Sequence, residues 1–377
     1  MAETVRALSF RTLLAEWPLV AIATALSLLG LVTMNTYGTG SLAPRQLVFI
    51  VIGVVVYFLI TAIDARFLRR TPVILSGYVF VLVLLVVLLV AVHPVMGARS
   101  WFDLGLVSFQ PTDLVKLVLI ALLAKYFSRR HLEIANIRHI VVSGLYAAAP
   151  ALLVLLQPDL GTAVILGSIW FGMVLVSGIP KRHLAAVLLI GLAAAAGLWS
   201  FGLHDYQRAR IMAFVNPAAD IHGSGYNAYQ ATVAVGSGEW FGKGIGYGTQ
   251  SKLRFLPQYE TDFIFAAFAE EWGFVGVGLV LILYGLLLFR LIEIARRSAT
   301  NFDALFTIGV AILIMAHVAI HAGINLGLLP VTGTTIPFMS YGGSHLVMEF
   351  AALGIVSSLA KYGRSAPREA VGQEYVG

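Results

Sequence analysis

The sequence contains no cysteine. That absence excludes a disulfide framework, a thiolate nucleophile and any cysteine-based metal site. Charge is scarce as well: 12% of the 377 residues are Asp, Glu, Lys or Arg, about half the share found in soluble domains. A chain so poor in charge cannot clothe a water-facing surface. Soluble α/β enzymes, disordered proteins and nucleic-acid binding as a core role are thereby excluded. Also lacking are a His-Glu-x-x-His helix, a Gly-x-Ser-x-Gly elbow, an internal repeat of about 20–50 residues and a clear inverted symmetry of the transporter kind.

What the chain has instead is apolar length. Hydrophobic residues make up 59% and the mean hydropathy is +0.88. A bilayer span takes about 20 mainly apolar residues. The apolar runs predict helices over 17–35, 46–62, 73–93, 111–127, 139–156, 159–178, 183–202, 263–289, 304–326 and 341–361. The expected fold is an all-α membrane protein of about ten transmembrane helices, a single polytopic domain over residues 1–377. No cleavable signal peptide is expected, because the run from Trp17 to Met34 lacks a small-residue cleavage site.

The formal charge of +6 fits such a protein, whose Lys and Arg gather in cytoplasmic loops and fix its orientation. Seventeen of the 25 Lys and Arg fall on the side of the termini and seven on the other, while Lys116 lies within a span. Both termini are therefore expected in the cytoplasm. The segment of about 203–262, between the seventh and eighth helices, then becomes a large extracytoplasmic loop. Its aromatics, among them Tyr206, Tyr226, Trp240, Tyr247 and Tyr259, argue against disorder. Loops of this length are usually functional.

Ionisable residues inside spans are costly and are functional candidates by default. Asp113 and Lys116 are three apart and share a helix face. They form either a structural ion pair or a site where Lys116 offers charge to an anionic substrate. Asp159 follows a Gln157-Pro158 turn, where a carboxylate also caps a helix. Asp262 ends the long loop and could be an N-cap and nothing more. Glu270 and Glu271, about 80° and 180° round a continuous helix from Asp262, read as helix-packing groups. His317 and His321, four apart, read as a satisfied intramembrane pair, and Glu349 has no evident partner. The string Gly242-Lys243-Gly244-Ile245-Gly246-Tyr247-Gly248 imitates a phosphate loop without the preceding strand, although its N–H groups could still meet an anion.

Several strings together resemble one family. Gly97-Ala98-Arg99-Ser100-Trp101-Phe102-Asp103-Leu104-Gly105 precedes Phe109-Gln110-Pro111-Thr112-Asp113-Leu114-Val115-Lys116. Gln157-Pro158-Asp159-Leu160-Gly161-Thr162-Ala163 and Asp205-Tyr206-Gln207-Arg208-Ala209-Arg210 follow. Phe255-Leu256-Pro257, Thr261-Asp262-Phe263-Ile264, Glu270-Glu271-Trp272-Gly273 and Pro337-Phe338-Met339-Ser340-Tyr341-Gly342-Gly343 complete the set. The chain is similar to the SEDS proteins (shape, elongation, division and sporulation). The Asp-Tyr-Gln-Arg-x-Arg string leans toward the RodA-type elongation branch over the FtsW-type division branch. Departures are Ser100 before the motif Trp, where Arg is usual, Thr112-Asp113 in place of Ser-Glu, and His345 and Glu349 at positions more often neutral.

The resemblance implies a peptidoglycan glycosyltransferase of the bacterial cytoplasmic (inner) membrane. Such an enzyme polymerises lipid II at the outer face during elongation and releases undecaprenyl diphosphate. It implies a class B penicillin-binding protein as transpeptidase partner, and it matches Asp262 to the family's essential loop aspartate. The chemistry suits the residues. Joining an acceptor hydroxyl to an anomeric carbon with inversion needs one carboxylate base and positive charge where diphosphate departs. Asp262 is the expected base. Lys116, Arg208, Arg210 and Lys243 are candidates for the diphosphate, and Gln110 and Asp159 for substrate contact. Trp101 either stacks on a sugar or anchors the interface. No cofactor is required, with a divalent cation (Mg or Mn) a possible addition. A flippase for lipid-linked precursors and a non-catalytic scaffold are the rival readings. The polar residues crowd toward the outer end rather than the midplane, which favours an enzyme.

Overall fold

A computed structural model describes residues 16–37, 42–92, 101–103, 108–129, 136–216 and 224–364. In an apolar bilayer every backbone polar group must be satisfied within the chain, and the helix does this locally. The helices are α1 (Trp17–Tyr37), α2 (Leu42–Ala62), α3 (Thr71–Ala91), α4 (Pro111–Ser128), α5 (Ile137–Leu156) and α6 (Leu160–Val176). They continue with α7 (Lys181–Gly197), α8 (Asp205–Val215), α9 (Ser224–Ser237), α10 (Ile264–Arg296), α11 (Asn301–Asn325) and α12 (Gly343–Arg364). Before α4, the two-residue strands β1 (Phe102–Asp103) and β2 (Ser108–Phe109) pair antiparallel, Phe102 opposite Phe109.

Among the described residues, eight helices are long and apolar enough to cross a membrane. The apolar α6 is 17 residues long, and α4 carries Asp113, Lys116 and Lys125. These two complete the ten expected spans. The expected boundaries hold to within a few residues, except that α10 runs on to Arg296.

The starts are written locally. Pro111 opens α4 at a position where its missing N–H costs nothing. The Asn136 side chain accepts from Arg138 N, Asp159 from Thr162 N and Thr300 from Asp303 N. α12 packs along α2, where Gly53 gives room to the Phe350 ring and Gly354 lies against Tyr57. α10 packs on α1 and α11, α4 on α3 and α11, and α5 on α6. The largest buried side chains include Tyr57, Phe268, Phe306, Phe338 and Phe350, while Val79, Phe80 and Val83 of α3 face outward. An apolar exterior over a packed interior is what lipid demands. α7 has no buried residue and ends in a π turn at Leu198–Gly202.

Successive crossings sort the loops into two ends. One holds Arg69 against Asp303 (2.6 Å), Arg290 against Glu16 (2.9 Å), and Tyr362 Oη donating to Ala62 O. The other gathers the β1–β2 strand pair, the Gln157-Pro158-Asp159 turn, residues 203–216 and 224–263 and the segment joining α11 to α12.

Candidate active site

Asp262 lies in a turn just before α10, and the N-cap position belongs to Phe263, without a side-chain cap bond. The carboxylate is therefore not used for capping, contrary to the bland expectation. Its backbone is fixed from α11: Asn325 Nδ2 donates to Asp262 O (3.0 Å), while Asn325 Oδ1 accepts from Ala266 N (3.1 Å). On the other side the α11–α12 segment grips its neighbours. Ser340 Oγ donates to Thr261 O (2.9 Å) and Tyr341 N to Glu260 O (2.8 Å). Asp262 Oδ2 faces Gly333, 3.7 Å from where a Cβ would stand. Gly333 has φ +73°, a backbone region that disfavours side chains.

Asp159 stands across that same segment. The first turn of α6 touches it, since a Cβ on Gly161 would lie 2.8 Å from Thr332 O. Asp159 caps α6 by accepting from Thr162 N (2.9 Å) and Thr162 Oγ1 (2.7 Å). α8 docks on the preceding turn, where Tyr206 Oη and Gln207 Nε2 donate to Pro158 O (2.9 and 3.4 Å). That docking sets Arg210 over the Tyr206 ring (5.8 Å) and within the electrostatic reach of Asp262. Burial pushes the Asp262 carboxyl up to about 6, against the pull of Arg210 and with help from Glu260 and Asp159. Burial also raises Asp159, opposed by its two bonds from Thr162.

Below this layer, inside the helices, Lys116 Nζ meets Asp113 Oδ1 at 3.0 Å. Asp113 has a second neighbour, His345, whose Nδ1 is 2.9 Å from the same oxygen. His345 Nε2 lies 2.9 Å from Glu349 Oε1. These four, with His317 and Phe338, line a cavity of about 20 Å³, room for one water. Glu349, without a partner in the sequence reading, thus belongs to a buried ion cluster.

Two of the other expected site residues, Arg208 and Lys243, are engaged elsewhere. Arg208 donates to Trp199 O (3.2 Å) and Ser200 O (3.1 Å), closing the carbonyl end of the π turn. Lys243 Nζ meets Glu270 Oε1 (2.7 Å) and Thr249 Oγ1 (2.9 Å). Trp101 is 44% exposed beside the strand pair. Gln110 precedes α4, its backbone N bonded to Ser344 Oγ (3.2 Å). Arg99 and Ser100 lie outside the described residues.

The glycine-rich string is no anion cradle. Its N–H groups are taken, Lys243 N by Glu270 O, Gly244 N by Glu271 O and Gly246 N by Glu271 Oε1. The reason is a break in α10. Gly273 has φ +65° and ψ −166°, so the helix is not the continuous one assumed from sequence. Phe274 N and Val275 N turn instead to Glu239 O and Trp240 O. Glu270 and Glu271 hold this loop on the break, with Gln250 N also donating to Glu270. His317 Nδ1 pairs with Thr335 O (3.1 Å) and His321 Nδ1 with Thr334 O (2.7 Å), so each ring is satisfied at one nitrogen only, its buried Nε2 having no hydrogen-bond partner. Among the described residues no three His, Asp or Glu gather as metal ligands. Sequence reasoning missed Asn325 and Ser340. An Asn closing an apolar helix before Leu-Gly was the one visible sign of the first.

A family profile for cell cycle proteins, FTSW_RODA_SPOVE, matches residues 6–365. The chain is 37% identical to the peptidoglycan glycosyltransferase MrdB of Escherichia coli K12 over 284 residues, covering 74% of this chain and 76% of that one. Among solved structures, RodA, the rod shape determining protein of Thermus thermophilus, is 34% identical with a TM-score of 0.69, covering 92% of this chain and 97% of RodA. A chain of a peptidoglycan synthase complex, solved for the coordination of polymerization and crosslinking, is 34% identical with a TM-score of 0.79, covering 93% of this chain and 99% of its own. With the matched motifs spread from the strand pair to α12, and the bundle shared along nearly its whole length, the chain belongs to the FTSW_RODA_SPOVE family, the SEDS proteins.

Proposed function

We propose that this protein is a peptidoglycan glycosyltransferase that polymerises lipid II at the outer face of the bacterial cytoplasmic membrane during elongation, with Asp262 as general base. The observation that carries the base assignment is a carboxylate free of capping duty, fixed through the backbone at Asp262 O and at the neighbouring Thr261 O and lying within electrostatic reach of Arg210. In the reaction the acceptor hydroxyl oxygen bonds to the anomeric carbon of the donor while the bond from that carbon to the diphosphate oxygen breaks. The hydroxyl proton passes to the Asp262 carboxylate, and undecaprenyl diphosphate leaves. A base near pH 6 is ionised at neutral pH and still basic enough to take the proton.

Arg210 stands at this end as the cation for developing diphosphate charge, and Lys116 supplies charge from beneath. Arg208 and Lys243, engaged with carbonyls and with Glu270, shape the loop in this reading. Asp159 holds the start of α6 against the segment that carries Gly333. A polyprenyl tail requires that the site sit among apolar helices. The partner is a class B penicillin-binding protein, which crosslinks the strands.

Purified protein reconstituted with lipid II tests this against the flippase reading. Glycan polymer without transbilayer movement of the precursor supports it. Movement without polymer overturns it.

A further inference from the structure

The His345–Glu349 pair does nothing in the reaction just described, yet both side chains are largely buried. It also lies on a continuous path to Asp262. Glu349 uses both oxygens: Oε1 lies against the His345 ring and Oε2 accepts from Phe338 N at 2.7 Å. Phe338 has φ +64°, a strained conformation for a bulky residue that persists only when its surroundings hold it. The same turn is held at Pro337 O by Tyr284 Oη. Within it Ile336 N donates to Ser340 Oγ (3.0 Å), and that hydroxyl donates onward to Thr261 O. The backbone N of Tyr341 then fixes Glu260 O. Two neighbours of Asp262 thus hang from a turn whose strained residue is bonded to Glu349.

Glu349 needs an anchor, because a free carboxylate in the membrane core is costly. The anchor is the chain of charges Glu349–His345–Asp113–Lys116, with contacts of 2.9, 2.9 and 3.0 Å. A ring with a carboxylate oxygen near each nitrogen serves both when each nitrogen carries a proton, so two cations balance two anions. The groups facing His345 are Asp113 and Lys116 of α4, His317 of α11 and Glu349 of its own helix, with Tyr284 of α10 facing Glu349.

We propose that His345 and Glu349 are positioning residues for the polymerase site, an ion pair that locks the Pro337–Tyr341 turn and through it the placement of Asp262. The proposal rests on Asp262 being the base. A misplaced base costs turnover more than substrate affinity. Glu349→Leu removes the acceptor for Phe338 N and should lower kcat about tenfold or more, with KM within about twofold. Glu349→Gln keeps an acceptor in place and should recover most of the loss. Ser340→Ala cuts the same path at its other end and should lower kcat alone by about threefold or more. Combined with Glu349→Leu it should add little, because a path already broken is not broken twice.

The test is steady-state lipid II polymerisation by the purified full chain, each variant matched to wild type in thermal stability. If Glu349→Leu does not fold, His345→Gln takes its place in the cycle, since it releases Glu349 from Asp113 while keeping a polar side chain. The coupled, kcat-only pattern with rescue by Gln supports the proposal. Additive losses, a loss carried by KM, or variants within twofold of wild type overturn it. Asp262→Asn runs alongside: if it is inactive while the Glu349 and Ser340 variants are unaffected, the positioning role alone fails. If it is active, the base assignment fails.

Discussion

A proton acceptor works only when ionised, so the environment of Asp262 sets the pH range of the enzyme. Its carboxyl is raised to about 6 by burial, and activity should be present above that value and fall as pH drops through it. A kcat profile measured between about pH 4.5 and 8 reads this limb directly; a limb near 4 would contradict the burial. Arg210 is the largest influence favouring the ionised form. Arg210→Gln should therefore move the limb to higher pH as well as weaken diphosphate departure. Asp262, Asp159, Arg210 and Lys116 were legible in the sequence, as charges at loop ends or inside spans. Asn325, Ser340 and Glu349 were not legible as their companions. They meet the site across 63, 79 and 11 residues of chain, and nothing in a linear pattern says which buried amide or hydroxyl faces which carbonyl.

Elements explain why some expected site residues are occupied with structure. A helix broken at Gly273 leaves N–H groups that the 238–248 loop must satisfy, and that loop approaches until a Cβ on Gly273 would lie 2.2 Å from Gly242 N. Gly273→Ala meets both that clash and a positive φ, and should cost about 1–3 kcal/mol of stability from the backbone conformation alone and lower the thermal midpoint accordingly. Gly278→Ala, where a Cβ has open space, is the control and should leave the midpoint in place or raise it. Equal midpoints for the two would mean that the break does not exist. The break was hidden in the sequence because an apolar run reads as one helix, and a lone Gly inside it is commonly tolerated. For the same reason the glycine-rich string could not show that its N–H groups were already taken, nor Arg208 that it closes the end of α7.

At the scale of the molecule, the bilayer made the fold legible. Each span must be long, apolar and helical, so ten positions could be read from hydropathy, and the structure places helices at all of them. Orientation follows from the charge count, 17 Lys and Arg on one side against seven on the other. The lack of cysteine gives a clean background for its test. A cysteine at Tyr247 should react with impermeant reagents from outside intact cells, and one at Ala299 only after permeabilisation; the reverse would put the site on the wrong face. The central claim is that Asp262 performs the chemistry at the outer end of this bundle. Lipid II polymerisation by purified Asp262→Asn protein, matched to wild type in thermal stability and partner binding, tests it most directly. The asparagine keeps the size and loses the proton acceptor, so the rate should fall by about 10²–10⁴-fold; activity within threefold of wild type would remove Asp262 as the base and reopen the flippase reading.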